Sequence, residues 1–349
     1  MKFLRQAWYA AAWAEDLQAS LVGRTILGER VVLFRKPNGT PAAIGGVCPH
    51  RFAPLERGRL EGDAVSCPYH GLTFSCTGQC VRNPHGDGRI PKNARVPSYP
   101  LLEKDTVVWI WMGDPAKADP AKVPDFPLLN DTVNYTRTAG QLLNMSLRWD
   151  LMLDNLLDLS HAGFLHLANL GSEAFSRGKM DVERHGTRLQ VNNLYPNGLP
   201  APVFVGTGAC RPDVYVDYWV NVRWDPPGFM YFDAGITPTG HDRSEGVQLN
   251  SVQLLTPESA TSTHYFWRLF RSYRLSDSGL TAGIEQMVSQ AFRTEDEPMV
   301  AAVQNNMAGR ELMDLQPVML SLDGGAVRAR RIIEELIRQE DEHMAPVAA

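Results

Sequence analysis

The run Asp150-Leu151-Met152-Leu153-Asp154-Asn155-Leu156-Leu157-Asp158-Leu159-Ser160-His161-Ala162-Gly163-Phe164-Leu165-His166 joins an apolar, helix-like pattern to three aspartates, an asparagine and two histidines five residues apart. That is a heavy polar load for a core helix, and buried charge needs compensation. Neutral imidazole is the commonest protein metal ligand, and two histidines with one distant carboxylate make a facial iron(II) site with coordination positions left open. At roughly 100° per residue the two histidines stand about 140° apart on an ideal α-helix. They reach one ion only if the helix widens or ends between them, which Gly163 permits. The competing reading is a pair of structural histidines, and the first hundred residues bear on the choice.

Composition sets outer bounds. A chain of 349 residues can form two domains with substantial cores, and 44% hydrophobic with 21% charged residues is ordinary for a globular protein. A net charge of -5 offers no electrostatic case for nucleic acid or an anionic membrane as partner. No apolar stretch approaches the roughly twenty residues of a membrane helix, and the start Met1-Lys2-Phe3-Leu4-Arg5 is too polar for a signal peptide, so a cytoplasmic location is expected. Four of the five cysteines, Cys48, Cys67, Cys76 and Cys80, are clustered, which in a reducing compartment argues for metal ligation over disulfides.

Residues 1 to about 45 read as short strands, among them Trp8-Tyr9-Ala10-Ala11 and Val31-Val32-Leu33-Phe34-Arg35, with a hairpin turn at Pro37-Asn38-Gly39. Two ligand motifs follow, Cys48-Pro49-His50-Arg51 and Cys67-Pro68-Tyr69-His70-Gly71. A [2Fe-2S] cluster with two imidazoles on one iron needs two thiolates and two histidines, and each loop supplies one of each. The alternative is a structural Cys2His2 zinc site, but zinc fingers usually group their cysteines together and their histidines together. Cys76 and Cys80 exceed a four-ligand set and read as ordinary thiols.

The pair C-P-H-R and C-P-Y-H-G resembles the Rieske domain of the Rieske non-haem iron oxygenases, and Asp154 to His161 with His166 resembles that family's mononuclear iron motif. Gln6-Ala7-Trp8-Tyr9, His50-Arg51-Phe52-Ala53-Pro54-Leu55 and Trp109-Ile110-Trp111-Met112-Gly113-Asp114-Pro115 are similar to the vanillate and dicamba O-demethylase branch, close to the aryl methylsulfonate monooxygenases. The resemblance spans nearly the whole chain. It implies an α+β protein: an antiparallel β Rieske domain over 1–120, and over 121–349 a catalytic domain whose antiparallel sheet is flanked by helices. The Pro- and Asp-rich run from Gly113 to Pro127 marks the boundary. Strands are predicted at 188–192, 215–220, 229–232, 247–252 and 263–268, and helices at 146–166, 280–306 and 325–342.

The resemblance also implies roles. Cys48, His50, Cys67 and His70 would hold the cluster, and His161, His166 and Asp296 the mononuclear Fe(II). Composition does not choose among Glu295, Asp296 and Glu297; the family pattern points to Asp296, leaving its neighbours solvated or supporting. Asp158, one turn before His161, is placed to accept a hydrogen bond from the imidazole nitrogen that faces away from iron. In the family the matching aspartate bridges to a Rieske histidine of the next subunit in a head-to-tail homotrimer. Asn155 is a polar group beside the iron. The implied reaction is O2-dependent hydroxylation of a methyl group on a small aromatic methyl ether or acid, with demethylation and formaldehyde release, as in aromatic catabolism.

No G-x-G-x-x-G lies between a strand and a helix, so a separate NAD(P)H-dependent reductase or ferredoxin is implied. Methyl or ring hydroxylation without demethylation stays open, as does, from another class, an electron-transfer or zinc-stabilised binding protein. Asn221, Arg223, Asn250, His264 and Trp267 are candidates to line a pocket for an aromatic acid, though polar strand residues more often face solvent.

Overall fold

The computed structural model describes residues 2–18 and 20–344. Contacts group Phe3–Asp125 with Thr256–Ala260 in one unit, and Lys2, Phe126–Leu255 and residues 261–344 in another.

The first unit is all antiparallel β. One sheet orders the strands Trp8–Trp13, Val107–Trp111 and Leu101–Lys104; a second orders Val22–Ile26, Glu29–Arg35, Pro41–Gly45 and Ser98–Tyr99. The third is a short meander of Arg59–Glu61, Ala64–Ser66, Thr73–Ser75 and Cys80–Arg82. The turn at Pro37-Asn38-Gly39 joins paired strands as predicted, with Arg35 opposite Pro41 and Gly39 at φ 84°. Val32, Phe34, Ile44, Leu55, Val65 and Phe74 form a core that also takes in Cys48 and Cys67. Both ligand loops thus spring from packed ground.

The second unit carries an eight-stranded sheet ordered Thr136–Arg137, Thr263–Arg271, Val247–Pro257, Phe229–Pro238, Val216–Asp225, Arg188–Gly198 and Lys179–His185, with Gln141–Met145 also on Thr263–Arg271. The five predicted strands are all present and longer than predicted. Lys179–His185 escapes sequence reading because it is an edge strand whose apolar alternation is only Met180 and Val182, half-buried on one face while the other face is exposed.

Helices α1 (Trp149–Leu157), α2 (Ala162–Leu165), α3 (Pro202–Gly206), α4 (Ser278–Ala291), α5 (Glu297–Met307) and α6 (Gly324–Met344) complete the unit. Two departures from the predicted helices shape the site. The segment 146–166 is not one helix: α1 stops at Leu157, a tight turn spans Leu159–His161, and α2 is a single turn. The segment 280–306 is interrupted by a π-turn at Phe292–Asp296. Pro298 has no N–H for the carbonyl of Thr294, which removes an α-helical bond where the ladder changes. No helix among the described residues is long and apolar enough to cross a membrane.

Candidate metal centres

Asp158 has an extended backbone (φ -116°, ψ 93°) and ends α1. Its carboxylate Oδ1 accepts from Ser160 N at 3.0 Å and from Ser160 Oγ at 2.7 Å, starting the next turn. The expected contact of that carboxylate with His161 is therefore corrected. It is the Asp158 backbone carbonyl that lies 2.5 Å from His161 Nδ1. A carbonyl only accepts, so Nδ1 carries the proton and Nε2 keeps its lone pair for a metal. Gly163 also has a different job from the one expected. The helix ends before His161, and a Cβ on Gly163 would stand 3.3 Å from Ser172 O and 3.4 Å from Phe175 Cβ, so the glycine allows a close approach that a larger residue could share only if those neighbours shifted.

His166 ends α2 and is buried. Its Nδ1 lies 2.5 Å from Glu295 Oε2, and Glu295 Oε1 accepts from Asn169 Nδ2 at 3.1 Å. The other nitrogen, Nε2, points at Asp296 Oδ1 from 3.2 Å, while His161 Nε2 is 3.5 Å from the same oxygen. One atom from each of His161, His166 and Asp296 lies within 4.8 Å of the other two, a group able to hold a metal ion. Asn155 Nδ2 donates to Asp296 Oδ1 at 3.0 Å. The π-turn lets adjacent residues serve both sides of His166: Asp296 turns inward, 1% exposed, while Glu295 reaches behind the ring. Glu297 accepts from Ser146 N at 3.2 Å, so neither glutamate is merely solvated.

Electrostatics agree with the geometry. Burial pushes the Asp296 carboxyl up, but hydrogen bonds from the two imidazoles outweigh it and bring the pKa down to about 2. Burial likewise opposes charge on His166, and Asp296 with Glu295 overcomes it, raising its pKa. Two converging imidazole nitrogens and a carboxylate, each imidazole tautomer fixed from behind, fit a divalent iron.

The remaining carboxylates of α1 are compensated by arginine. Arg148 clasps Asp150 through Nε at 2.9 Å and Nη2 at 2.8 Å. From α6, Arg330 Nη1 reaches Asp150 Oδ2 at 2.7 Å, and its Nε and Nη2 reach Asp154 at 2.8 and 2.5 Å. Arg330 does not stand out in the sequence, because it and Asp154 are 176 residues apart.

In the first unit the two ligand loops are conformational copies. Phe52 N donates to Cys48 O and Gly71 N to Cys67 O; Cys48 N donates to Ala53 O and Cys67 N to Leu72 O. The residue four after each cysteine is left-handed, Phe52 at φ 57° and Gly71 at φ 70°. Cys48 and Cys67 are buried, and the His50 and His70 rings lie 4.5 Å apart. Burial, with Cys67 beside it, pushes the Cys48 thiol up to about 11, so its thiolate calls for a cationic partner. Two buried sulfurs and two neighbouring imidazoles fit a [2Fe-2S] cluster. Cys76 and Cys80 face oxygens, Asp63 Oδ2 at 3.7 Å and the Arg82 carbonyl at 3.5 Å. His85, unremarked in the sequence, donates from Nε2 to His70 O at 2.8 Å.

A cavity of about 170 Å³ opens on the triad, walled by apolar groups including Leu156, Phe175, Phe204, Phe232 and Leu249. None of the five pocket candidates from the later sheet lines it. Asn250, His264 and Trp267 are buried rather than solvent-facing. His264 Nδ1 lies 2.7 Å from Asn144 Oδ1, Asn221 donates to Asp233 at 3.2 Å, and Arg223 stacks over Phe126. The polar wall residues missed are Ser251, Gln253 and Tyr218, the last with its hydroxyl taken by Ala201 N and Leu199 O.

Sequence and fold comparisons agree with both centres. Residues 7–100 match the Rieske [2Fe-2S] domain and residues 145–339 the vanillate O-demethylase oxygenase C-terminal domain. The chain is 38% identical to the chloroacetanilide N-alkylformylase oxygenase component of Rhizorhabdus wittichii, covering 97% of each chain. It is also 38% identical to the dicamba O-demethylase oxygenase component of Stenotrophomonas maltophilia, covering 97% of this chain and 99% of that one. Crystal structures of dicamba monooxygenase align with TM-scores of 0.89 (bound to dicamba; 37% identity, 98% and 100% covered) and 0.84 (with non-haem iron and dicamba; 34% identity, 99% and 100% covered). Fold and matches together define the oxygenase component of a Rieske monooxygenase system, O-demethylase-like in its relatives. Within that class the chain belongs to the vanillate O-demethylase oxygenase family. Relatives that are components of larger systems imply a separate reductase or ferredoxin.

Proposed function

We propose that the chain hydroxylates a methyl group of a small aromatic methyl ether, so that the ether is demethylated with release of formaldehyde. His161, His166 and Asp296 hold Fe(II); Cys48 and Cys67 hold one iron of the cluster, and His50 and His70 the other. The observation carrying this reading is the convergence of two Nε2 atoms and one carboxylate oxygen at the wall of an apolar cavity. Iron bound there supplies reductive activation of dioxygen, with electrons delivered through the cluster from the external reductase.

The chain's own residues do the rest. Asp158 O and Glu295 hold the imidazole tautomers, Asn155 holds the Asp296 carboxylate, and the apolar wall positions the methyl and excludes water. The balance is one ether, one O2, two electrons and two protons giving a phenol, formaldehyde and water. In a head-to-tail homotrimer, Asp158 of one copy would face a Rieske histidine of the next and carry the electron route between them.

The test is turnover with reductase, NADH and a panel of aromatic methyl ethers, with formaldehyde and O2 counted together. Equimolar formaldehyde and O2 supports demethylation, whereas oxygenated product without formaldehyde sinks it. Equal identity to an N-alkylformylase favours, as a second reading, oxidative removal of an N-alkyl group, so N-alkyl anilides belong in the panel.

A further inference from the structure

The cavity of about 170 Å³ is close to the roughly 150 Å³ of an engineered void that holds benzene, so it takes one substituted ring. Among the described residues lining it there is no lysine or arginine. A carboxylate brought in would lose its water without gaining an opposing cation. Iron at the triad would not serve as that cation. Its two charges are matched by Asp296 and by Glu295, which backs His166 from 2.5 Å.

Hydrogen-bonding capacity is concentrated in one place on the wall. The strand Val247–Pro257 turns Ser251 and Gln253 to the cavity, two residues apart on one face and only 4% and 6% exposed. The Tyr265 hydroxyl, kept protonated by complete burial, donates to Gln253 Oε1. That fixes the amide so that Nε2 lies 3.0 Å from Ser251 Oγ. Nε2 has a second N–H and the serine keeps its own O–H, so the pair offers uncharged donors.

We propose that the substrate is an uncharged single-ring aromatic whose carbonyl oxygen is received by Ser251 and Gln253, and that aromatic carboxylates are discriminated against. The proposal rests on the oxygenase reading above and narrows its substrate class.

Calorimetric titration of the holoenzyme near neutral pH with methoxybenzamide and methoxybenzoate, each as ortho, meta and para isomers, tests it. In at least one pair the amide should bind about tenfold or more tighter than the carboxylate, because the ion's desolvation is uncompensated. Gln253→Leu should weaken the best amide about tenfold and leave methoxybenzene binding unchanged. The proposal is overturned if every carboxylate binds as tightly as its amide, if no amide binds, or if Gln253→Leu weakens amide and methoxybenzene alike or neither. Formaldehyde assayed with the same ligands separates this from the parent reading. A bound amide that yields none leaves the substrate class standing and removes demethylation; a tighter carboxylate that yields formaldehyde does the opposite.

Discussion

Glu295 and His166 are 129 residues apart, and their contact is what makes His166 a directed ligand. Glu295→Ala should lower the affinity of the iron-free site for Fe(II) or Co(II) by about 10–100-fold, as loss of an orienting carboxylate does at other metal sites. Glu295→Gln, which can still accept from Nδ1, should fall between the two in a metal titration; an unchanged affinity in both variants would remove the role. The same contact sets a pH dependence. His166 titrates above the usual histidine value, so in the iron-free protein its imidazolium adds stability that is fully present below about pH 6.5. That stability is lost as pH rises through the raised value. Metal binding needs the neutral ring, so affinity should fall with acidification starting above pH 6.5, and Glu295→Gln should move the onset lower; titrations at several pH values check both. The motif marked His161 and His166 and the family resemblance pointed to Asp296, but neither told which carboxylate orients which ring. Tautomers are fixed by contacts made after the chain has broken at Asp158, and the spacing of histidines on an ideal helix says nothing of that break.

At the scale of elements, the odd composition of α1 is explained by α6. The amphipathic pattern of both helices was legible in the sequence, whereas the arginine that joins them was not, since charged residues on a long surface helix look alike until one is buried. Arg330 is bound by two carboxylates of α1, and against the cost of burial they hold its pKa above the usual value. Arg330→Leu leaves Asp150 and Asp154 facing each other without it, and should destabilise the protein by about 3–5 kcal/mol in denaturant unfolding. Adding Asp154→Asn should recover part of that loss, because one uncompensated charge is gone; no recovery would show that Arg330 acts through packing alone. The π-turn was equally hidden: Pro298 signals an interruption, but a kink, a stop and a widened turn all share that signal.

At the scale of the molecule, the two ligand loops and the triad belong to separate units of contact, each with its own core. The β character of the first unit and the sheet with flanking helices of the second were readable from strand patterning and loop motifs. The cavity was not, because its wall draws on strands and helices spread from Asn155 to Asp296, whose inward faces are set only by sheet register. Separate units make separable metals. Cys67→Ala should abolish the brown colour and the reduced-cluster resonance, taking iron from about three per chain to about one, while Cys76→Ala, whose thiol faces Asp63, should keep all of it. Equal loss in the two variants would undo the ligand assignment, and loss of the last iron in Cys67→Ala would mean that the second unit depends on the first. Asp158→Asn separates metal content from electron flow in the same way. Asparagine can still receive the Ser160 N–H that shapes the turn, so both metals should stay. If the carboxylate carries electrons between copies, turnover with the reductase should collapse, while product formed with hydrogen peroxide, which brings the oxygen and both electrons itself, should survive. Near-normal steady-state activity would show that electrons reach the triad without Asp158.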